Sequence, residues 1–588
     1  MRQREAKIAV DGAAPPRKEH QRSAAGRLLD AEAAALAFPP RTKRPRCWGI
    51  NVALVAIVMT VPPMVFILGA RTSAPAVWIS SLRGGRLTYG LVHVSDRLCS
   101  DDGSVLRWQE RSFDKLLGGL LADGFDQKSC HSRYEAAMYR RNPGKKPSPY
   151  LVSKLRHQEA LQRRCGPGTV AYSTTLEQLR SGNRGVMGSP ECKYLVSISY
   201  SGLGNRILAA AAAFLYALLT DRVLLVDPSN EMGELFCEPF PGTTWLLPPG
   251  FPLTSYTNFS LDTVESYGNM LKNKVVRTDA GDVPAAQLPV YAYIHLNHDA
   301  TQDDKFFYCD EDQKLLRDIP WLVFRTDNYI VPGLLLDRGF QEEFARLFPE
   351  PDTVFHHVGR YLFHPSNHVW GLITRYYDAY LATAQHRVGI QVRVFGALPD
   401  SPALLEQITK CTKKHGVLPE VLNGTEHKMP GPSRKSKAVL VTSLKSWYSE
   451  KLKSMYWEQA AVTGEAVSVH QPSHEEFQQF GAKSHDTKAW AEIYLLSLTD
   501  TLVTTAWSTF GYVAQGLGGL RPWVMYKPEN DSVVTDPPCG QDMSMDPCFH
   551  APPFYDCRLK HGADTGKIVP QVKHCIDMSW GLKLVHHS

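Results

Sequence analysis

Between residues 194 and 226 the chain runs from an apolar segment through a polar glycine turn and a long Ala- and Leu-rich stretch to a second apolar segment. Residues 194–200 (YLVSISY) are apolar and partly β-branched, SGLGNR is a turn, residues 207–219 have strong helix propensity, and VLLV at 223–226 starts a short buried strand that closes at Asp227-Pro228. The pattern predicts a strand–turn–helix–strand unit. A longer series follows. VGIQVRVF (388–395), AVLVTS (438–443), AVSVH (466–470), TLVTT (501–505) and PWVMY (522–526) read as strands, and helical segments at 447–461 and 489–500 and a turn and helix in 507–518 separate the later ones. Strands alternating with helices of this length imply a parallel, doubly wound sheet. Before this series, residues 367–385 carry Val369, Ile373, Tyr376, Tyr377 and Tyr380 at helical spacing, a connecting helix. The fold class is α/β, two Rossmann-like lobes facing a cleft, with ligands at the carboxyl ends of the strands.

The N-terminal part is organised differently. Residues 1–46 are Ala-, Arg- and Pro-rich and read as a disordered cytosolic tail. Residues 47–70 form a charge-free run of twenty-four, longer than the roughly 20 residues a membrane-spanning helix needs. Arg41, Lys43, Arg44 and Arg46 precede it and Arg71 follows, so the positive-inside rule predicts a type II signal anchor, with a cleaved signal peptide as the alternative. Residues 71–144 read as a stem grading into the catalytic body, with a helix expected at 114–125 (DKLLGGLLADGF). The body divides into an N-terminal α/β lobe at 145–386, a C-terminal Rossmann-like lobe at 387–530 and a disulfide-rich tail at 531–588.

Charge and cysteine content sharpen this picture. The tail holds eleven basic and five acidic residues, which accounts for the whole net charge of +6. The body is neutral and gives no support to nucleic-acid binding. Of the twelve cysteines, eleven follow the apolar run, with no CxxC pair and no His spacing of a zinc site. Disulfides are their expected state in a luminal compartment, and since eleven is odd at least one thiol is free or pairs with another chain. Cys539, Cys548, Cys557 and Cys575 are expected to staple the tail to the body, and Asn258, Asn423 and Asn530 head glycosylation sequons.

Several residues carry candidate chemistry. In the turn containing Gly204, Asn205 and Arg206, an amide and a guanidinium at a helix start suit hydroxyls and phosphate; the alternative is a tight strand-to-helix turn. Arg393 sits in an otherwise apolar strand, so it meets either a carboxylate or an anionic ligand, the natural one being the diphosphate of a nucleotide sugar. Ser508, Thr509, Phe510 and Tyr512 open another helix, where capping and phosphate binding are compatible. His470, after the preceding strand, is a candidate for base or ribose contact. Asp327, after the apolar segment WLVF, is the candidate catalytic carboxylate, with an Asx-turn as the other reading. Asp310-Glu311-Asp312 matches a DxD pattern in a polar loop, and no metal is expected there.

The blocks SGLGNRILAAAAAFLYALLTDRVLLVD, WLVFRTDNYIVPGL, FHHVGRYLFHPSNHVWGLITRYYDAYL, VGIQVRVF and AWSTFGYVAQGLGGLRPW resemble the plant fucosyltransferase family, from about residue 150 to the C-terminus. The resemblance implies a Golgi type II enzyme of variant GT-B fold with GDP-fucose as donor, inversion at the anomeric carbon and no metal. It implies Arg393 as the arginine on the GDP diphosphate, the turn at 508–512 as part of the donor site and Asp327 as the carboxylate near the acceptor. The expected acceptor is a galactose hydroxyl on a cell-wall polysaccharide such as xyloglucan or on an arabinogalactan glycan, giving an α-1,2 linkage. The alternatives are an enzyme fucosylating protein hydroxyls and a silent glycan-binding protein. A homodimer or a complex with other Golgi glycosyltransferases stays open.

Overall fold

The computed structural model describes residues 114–142, 144–182, 192–278, 288–394, 399–422, 435–479, 481–528 and 533–586. The cytosolic tail, the apolar run at 47–70, Asn423 and Asn530 lie outside them. Among the described residues no helix is long and apolar enough to cross a membrane.

Helix α1 (Pro149–Cys165) starts where Ser148 accepts the Leu151 N–H, with proline in the first turn. Its buried Gln158 and Gln162 bond the carbonyls of Arg222 and Leu224, fastening it across the first sheet. That sheet contains β1 (Tyr194–Ser197), β2 (Val223–Val226), β3 (Tyr291–His295) and β4 (Trp321–Arg325) in the order β2-β1-β4-β3, all parallel. Strands β1 and β2 are buried along their length because helices cover both faces, which is why their sequences are apolar rather than alternating. Helix α2 (Leu203–Leu219) joins β1 to β2 and is buried at all but two of its positions.

Helices α3 (Val354–Leu362) and α4 (Asn367–Tyr380) lead to the second sheet. It comprises β5 (His386–Gln391), β6 (Ser436–Thr442), β7 (Ala466–His470), β8 (Thr501–Thr505), β9 (Trp523–Met525) and β10 (Cys539–Gln541). Their order is β10-β9-β8-β5-β6-β7, parallel except for β10 against β9. Helix α5 (Lys483–Leu496) precedes β8 and α6 (Thr509–Gly518) follows it. One apolar core runs from Leu195 and Leu224 through Phe214, Phe355, Leu517 and Ile493 to Leu440 and Leu502. The helices of the two lobes pack directly on one another, and small residues allow the approach: a Cβ on Gly516 would lie 2.4 Å from the Phe355 ring.

Two expectations need correction. Residues 114–125 form turns, not a helix: Leu117, Gly118, Gly119 and Gly124 all have positive φ, and the Asp114 carboxylate accepts the N–H groups of Leu116 and Gly118 in place of a helical ladder. The four tail cysteines are not all spent on anchoring. Cys309–Cys557 and Cys411–Cys539 tie the tail to the body, Cys548–Cys575 closes a loop within it, and Cys130–Cys237 and Cys165–Cys192 brace the first lobe.

A second close interlobe contact is at Gly204, where an added Cβ would lie 2.5 Å from Thr509 Oγ1 and 3.0 Å from its carbonyl carbon. Gly204→Ala should destabilise the folded chain by about 1–3 kcal/mol, the usual cost of overpacking. A denaturation midpoint equal to wild type would refute the packing role.

Candidate active site

In the second sheet the strand order reverses between β5 and β8, and in the first β1 and β4 lie side by side at its centre. Such a reversal leaves a crevice beyond the carboxyl ends of the strands, because the flanking connections depart to opposite faces. The turns after β1, β4, β5 and β8 carry Asn205, Asp327, Arg393 and Ser508–Thr509. The polar residues singled out in the sequence therefore gather at the carboxyl ends of the central strands of the two sheets.

Both strand-to-helix turns pass through a residue in the left-handed region, Ser201 at φ 68° and Trp507 at φ 59°, neither of them glycine. Such conformations cost of order 1–3 kcal/mol and persist only where the surroundings impose them. Trp507 is held by its backbone N–H to Asp577 Oδ2 at 2.9 Å and its indole N–H to the Asp577 carbonyl at 2.6 Å. Its ring also meets Trp580 edge-on and lies under the Lys527 ammonium. Helix α2 has no side-chain cap at its start, whereas α6 is capped by Ser508, which accepts the Gly511 N–H at 3.5 Å.

Asn205 joins the lobes. Its amide donates to the Asp327 carbonyl at 2.9 Å and accepts the Thr509 hydroxyl at 3.1 Å. The Asp327 carboxylate, with a side chain 12% exposed, meets His298 Nδ1 at 2.9 Å and the Asn328 amide at 2.5 Å. Arg393 is half-buried just beyond β5, where its N–H donates to Thr505 Oγ1 at 3.0 Å. Its positive charge reaches Tyr512 and the imidazole of His550, and the Asp327 charge reaches the same imidazole. Phe510 is partly buried against the core.

Other predicted residues are placed differently. Arg206 is 3% exposed and points into the protein, paired with Asp486 of α5 at 2.6 Å and bonded to the Asn230 carbonyl. Tyr512 is buried and donates to Asp577 Oδ2 at 2.5 Å; burial and that carboxylate hold its hydroxyl well above the usual phenol range. His470 ends β7, the edge strand, two strands from the β5–β8 reversal, with its ring against Tyr380. The acidic triplet opens a helix: Asp310 accepts the Arg338 N–H, and Asp312, pushed up to about 6 by burial, accepts the Tyr267 hydroxyl at 2.6 Å. Cys548, Cys575 and Asp577 lie together, but the two sulfurs are joined to each other. Asn258 is exposed, as a glycan acceptor must be.

Three site residues have no sequence signal that the reading used. His298 follows β3, and His550 and Asp577 come from the tail. His550 Nε2 lies 3.0 Å from the Tyr512 hydroxyl, and burial, reinforced by Arg393 and Lys583, pushes the imidazole down to about 4 against the pull of Asp577 and Asp327. A carboxylate held by His298 and Asn328, a guanidinium and the N–H groups of a helix start, all at strand ends, are groups that can bind an anionic leaving group and orient a hydroxyl.

Comparison with known proteins extends this reading. The family model described as xyloglucan fucosyltransferase matches residues 101–558. The chain is 53% identical over 500 residues to a galactoside 2-alpha-L-fucosyltransferase of Pisum sativum, covering 85% of this chain and 86% of that protein. It is 56% identical over 474 residues to a galactoside 2-alpha-L-fucosyltransferase of Arabidopsis thaliana, covering 80% and 83%. A solved structure of an Arabidopsis thaliana FUT1 mutant in complex with GDP matches with a TM-score of 0.74 and 55% identity, covering 80% of this chain and all of that one.

Two measurements separate structural from ligand roles here. Arg206→Ala leaves Asp486 buried without its partner, so it should cost about 3–5 kcal/mol of stability. An undiminished unfolding midpoint with weakened GDP binding would instead return Arg206 to the donor site. Glu492, buried on α5 and accepting from Ser473 at 2.6 Å, is pushed up to about 8 from an ordinary 4.5. The folded state thus holds a proton that the unfolded chain releases, and stability should fall by roughly 1.4 kcal/mol per pH unit between those values and level off above the upper one. Glu492→Gln should flatten that slope in urea titrations at pH 6 and pH 8; an unaltered slope would show that another group causes it.

Proposed function

Since this chain belongs to the xyloglucan fucosyltransferase family, we propose that it transfers L-fucose from GDP-fucose to the 2-hydroxyl of a galactose unit. The acceptor is a cell-wall polysaccharide such as xyloglucan, or an arabinogalactan glycan, and the product carries an α-1,2 linkage with inversion at the fucose anomeric carbon. The chain is an α-1,2-fucosyltransferase, a hexosyltransferase of α/β glycosyltransferase fold. The observation that carries the reading is the placement of Asp327 and Arg393 just past the carboxyl ends of central strands, one on each sheet, with Asn205 linking the two turns that flank them.

Inversion by a single displacement needs the acceptor hydroxyl and the departing diphosphate on opposite faces of the fucose. A site divided between two sheets supplies that arrangement. The galactose O2 bonds to the anomeric carbon while the bond from that carbon to the diphosphate oxygen breaks, and its electron pair stays on GDP. The charge growing on the diphosphate is met by Arg393 and by the N–H groups at the start of α6, donors fixed before the reaction begins. The hydroxyl proton is drawn towards the Asp327 carboxylate, which His298 and Asn328 hold in place. These groups belong to the chain, so no divalent ion is required to hold the diphosphate.

The reading includes a single-pass type II topology with residues 47–70 as the Golgi membrane anchor and the lobes in the lumen, as a variant GT-B enzyme. The basic residues before the apolar run, the five disulfides and the exposed Asn258 support it.

Labelled GDP-fucose offered with xyloglucan, arabinogalactan or a peptide should yield a labelled galactoside product that an α-1,2-fucosidase cleaves, equally with and without chelator. Transfer only to peptide, or none without added metal, would overturn the assignment. Arg393→Ala should cost about 2–4 kcal/mol of transition-state stabilisation, roughly 30- to 1000-fold in kcat/KM. Near-normal turnover by a folded variant would remove Arg393 from the diphosphate.

A further inference from the structure

His550 and Asp577 reach the site from the tail, and the hydrogen bonds around them leave little freedom. Asp577 Oδ2 receives the Trp507 N–H at 2.9 Å and the Tyr512 hydroxyl at 2.5 Å. A phenol has one proton. With that proton on the carboxylate side, Tyr512 can only accept from His550 Nε2, 3.0 Å away. Nε2 therefore carries the imidazole proton and Nδ1 is left with a lone pair. No described residue donates to Nδ1. The ring is fixed from behind, edge-on to the Tyr512 ring at 5.4 Å, while the Trp580 indole N–H holds the His550 carbonyl at 3.2 Å.

Its location is equally constrained. Tyr512 stands one helical turn beyond Thr509, whose hydroxyl rests on Asn205, and Asn205 holds the turn that carries Asp327. The charges that act on the imidazole are those of Asp577, Asp327, Arg393 and Lys583. Resting on the fucosyl-transfer reading above, we propose that His550 faces the bound sugars and accepts a hydrogen bond at Nδ1 from a sugar hydroxyl, with Tyr512 and Asp577 as positioning residues that fix its tautomer and direction. A neutral imidazole suits this place. An imidazolium would oppose the positive charge that grows on the anomeric carbon and would have no lone pair to offer. Burial keeps the ring in its neutral form at working pH.

The test uses the full chain with GDP-fucose and a galactoside acceptor. His550→Ala, with His550→Gln as a near-isosteric second variant, should lower kcat/KM for transfer by roughly 10- to 100-fold, the loss of one well-placed hydrogen bond. GDP affinity by calorimetry should change little. If the bonded hydroxyl is the galactose one, hydrolysis of GDP-fucose by water falls less than transfer; if it belongs to fucose, both fall together. Long-range 15N–1H spectra of histidine-labelled protein should show the proton of His550 on Nε2, and Tyr512→Phe should release that preference and lower kcat. A merely structural role would shift the melting point without moving the tautomer or separating kcat from GDP affinity. Wild-type transfer by folded His550→Ala and His550→Gln, or a proton found on Nδ1, overturns the proposal and leaves the fucosyltransferase reading intact. Failure of the unsubstituted chain to transfer fucose overturns that reading instead.

Discussion

One side-chain amide sets the spacing of the site. Asn205 gives its N–H to the turn after β4 and takes the hydroxyl at the start of α6, so a single planar group ties the strand ends of one sheet to those of the other. Each bond contributes about 1 kcal/mol net, little beside the apolar core shared by the two lobes. Its contribution is registry. Apolar contact between α2 and α6 is non-directional, whereas an amide that donates on one side and accepts on the other fits one offset only. Aspartate could not donate to the Asp327 carbonyl, and glutamine would push the turns apart by a methylene. Gly204, one residue earlier, removes the Cβ that would prevent the approach.

The same chemistry explains how two arginines with similar sequence surroundings end differently. Arg206 is in an apolar helix and Arg393 in an apolar strand, and in both cases burying a guanidinium demands compensation. Arg206 finds it inside the protein, because α5 brings Asp486 to the start of α2 and the pair crosses between the lobes. Arg393 lies past the end of β5, where a side chain can reach the cleft. Position relative to the strand end, and not residue type, separates the arginine that locks the lobes from the one placed to meet a diphosphate.

That distinction also marks what the sequence could reveal. Strands at 223–226, 466–470 and 501–505 were legible to the residue because short apolar and β-branched runs between polar breaks favour extended backbone. The segment at 114–125 was misread because leucine spacing suggested a helix, while Gly118-Gly119 and the Asp114 carboxylate favoured turns. Asp327, Asn205, Arg393 and the 508–512 turn were legible as polar residues at the ends of apolar strands. Asp486 was not, because a carboxylate in an exposed-looking helical segment gives no sign of a partner 280 residues away. His470 was drawn to the cleft by following a strand, but strand order is not written in strand sequence, and β7 lies at the edge.

The tail poses the hardest version of this problem, and its covalent links answer it. Beyond β10 the described chain has only two short two-stranded ladders, too few backbone bonds to hold a side chain to tenths of an ångström. Three cross-links serve it, two of them to residues 248 and 128 positions earlier in the sequence. In chain-entropy terms, closing loops of that length removes about 5 kcal/mol of unfolded-state freedom each. A buried Lys583–Asp542 ion pair and the Asp546 carboxylate, which accepts from Tyr329 and the Phe355 N–H, add polar anchors within the same segment. An irregular segment thus acquires the rigidity of a sheet without its hydrogen bonds, enough to set Asp577 under the strained Trp507. The cost is dependence on surroundings: a reducing compartment would loosen the tail before either sheet, and the first geometry to relax would be the one at the cleft.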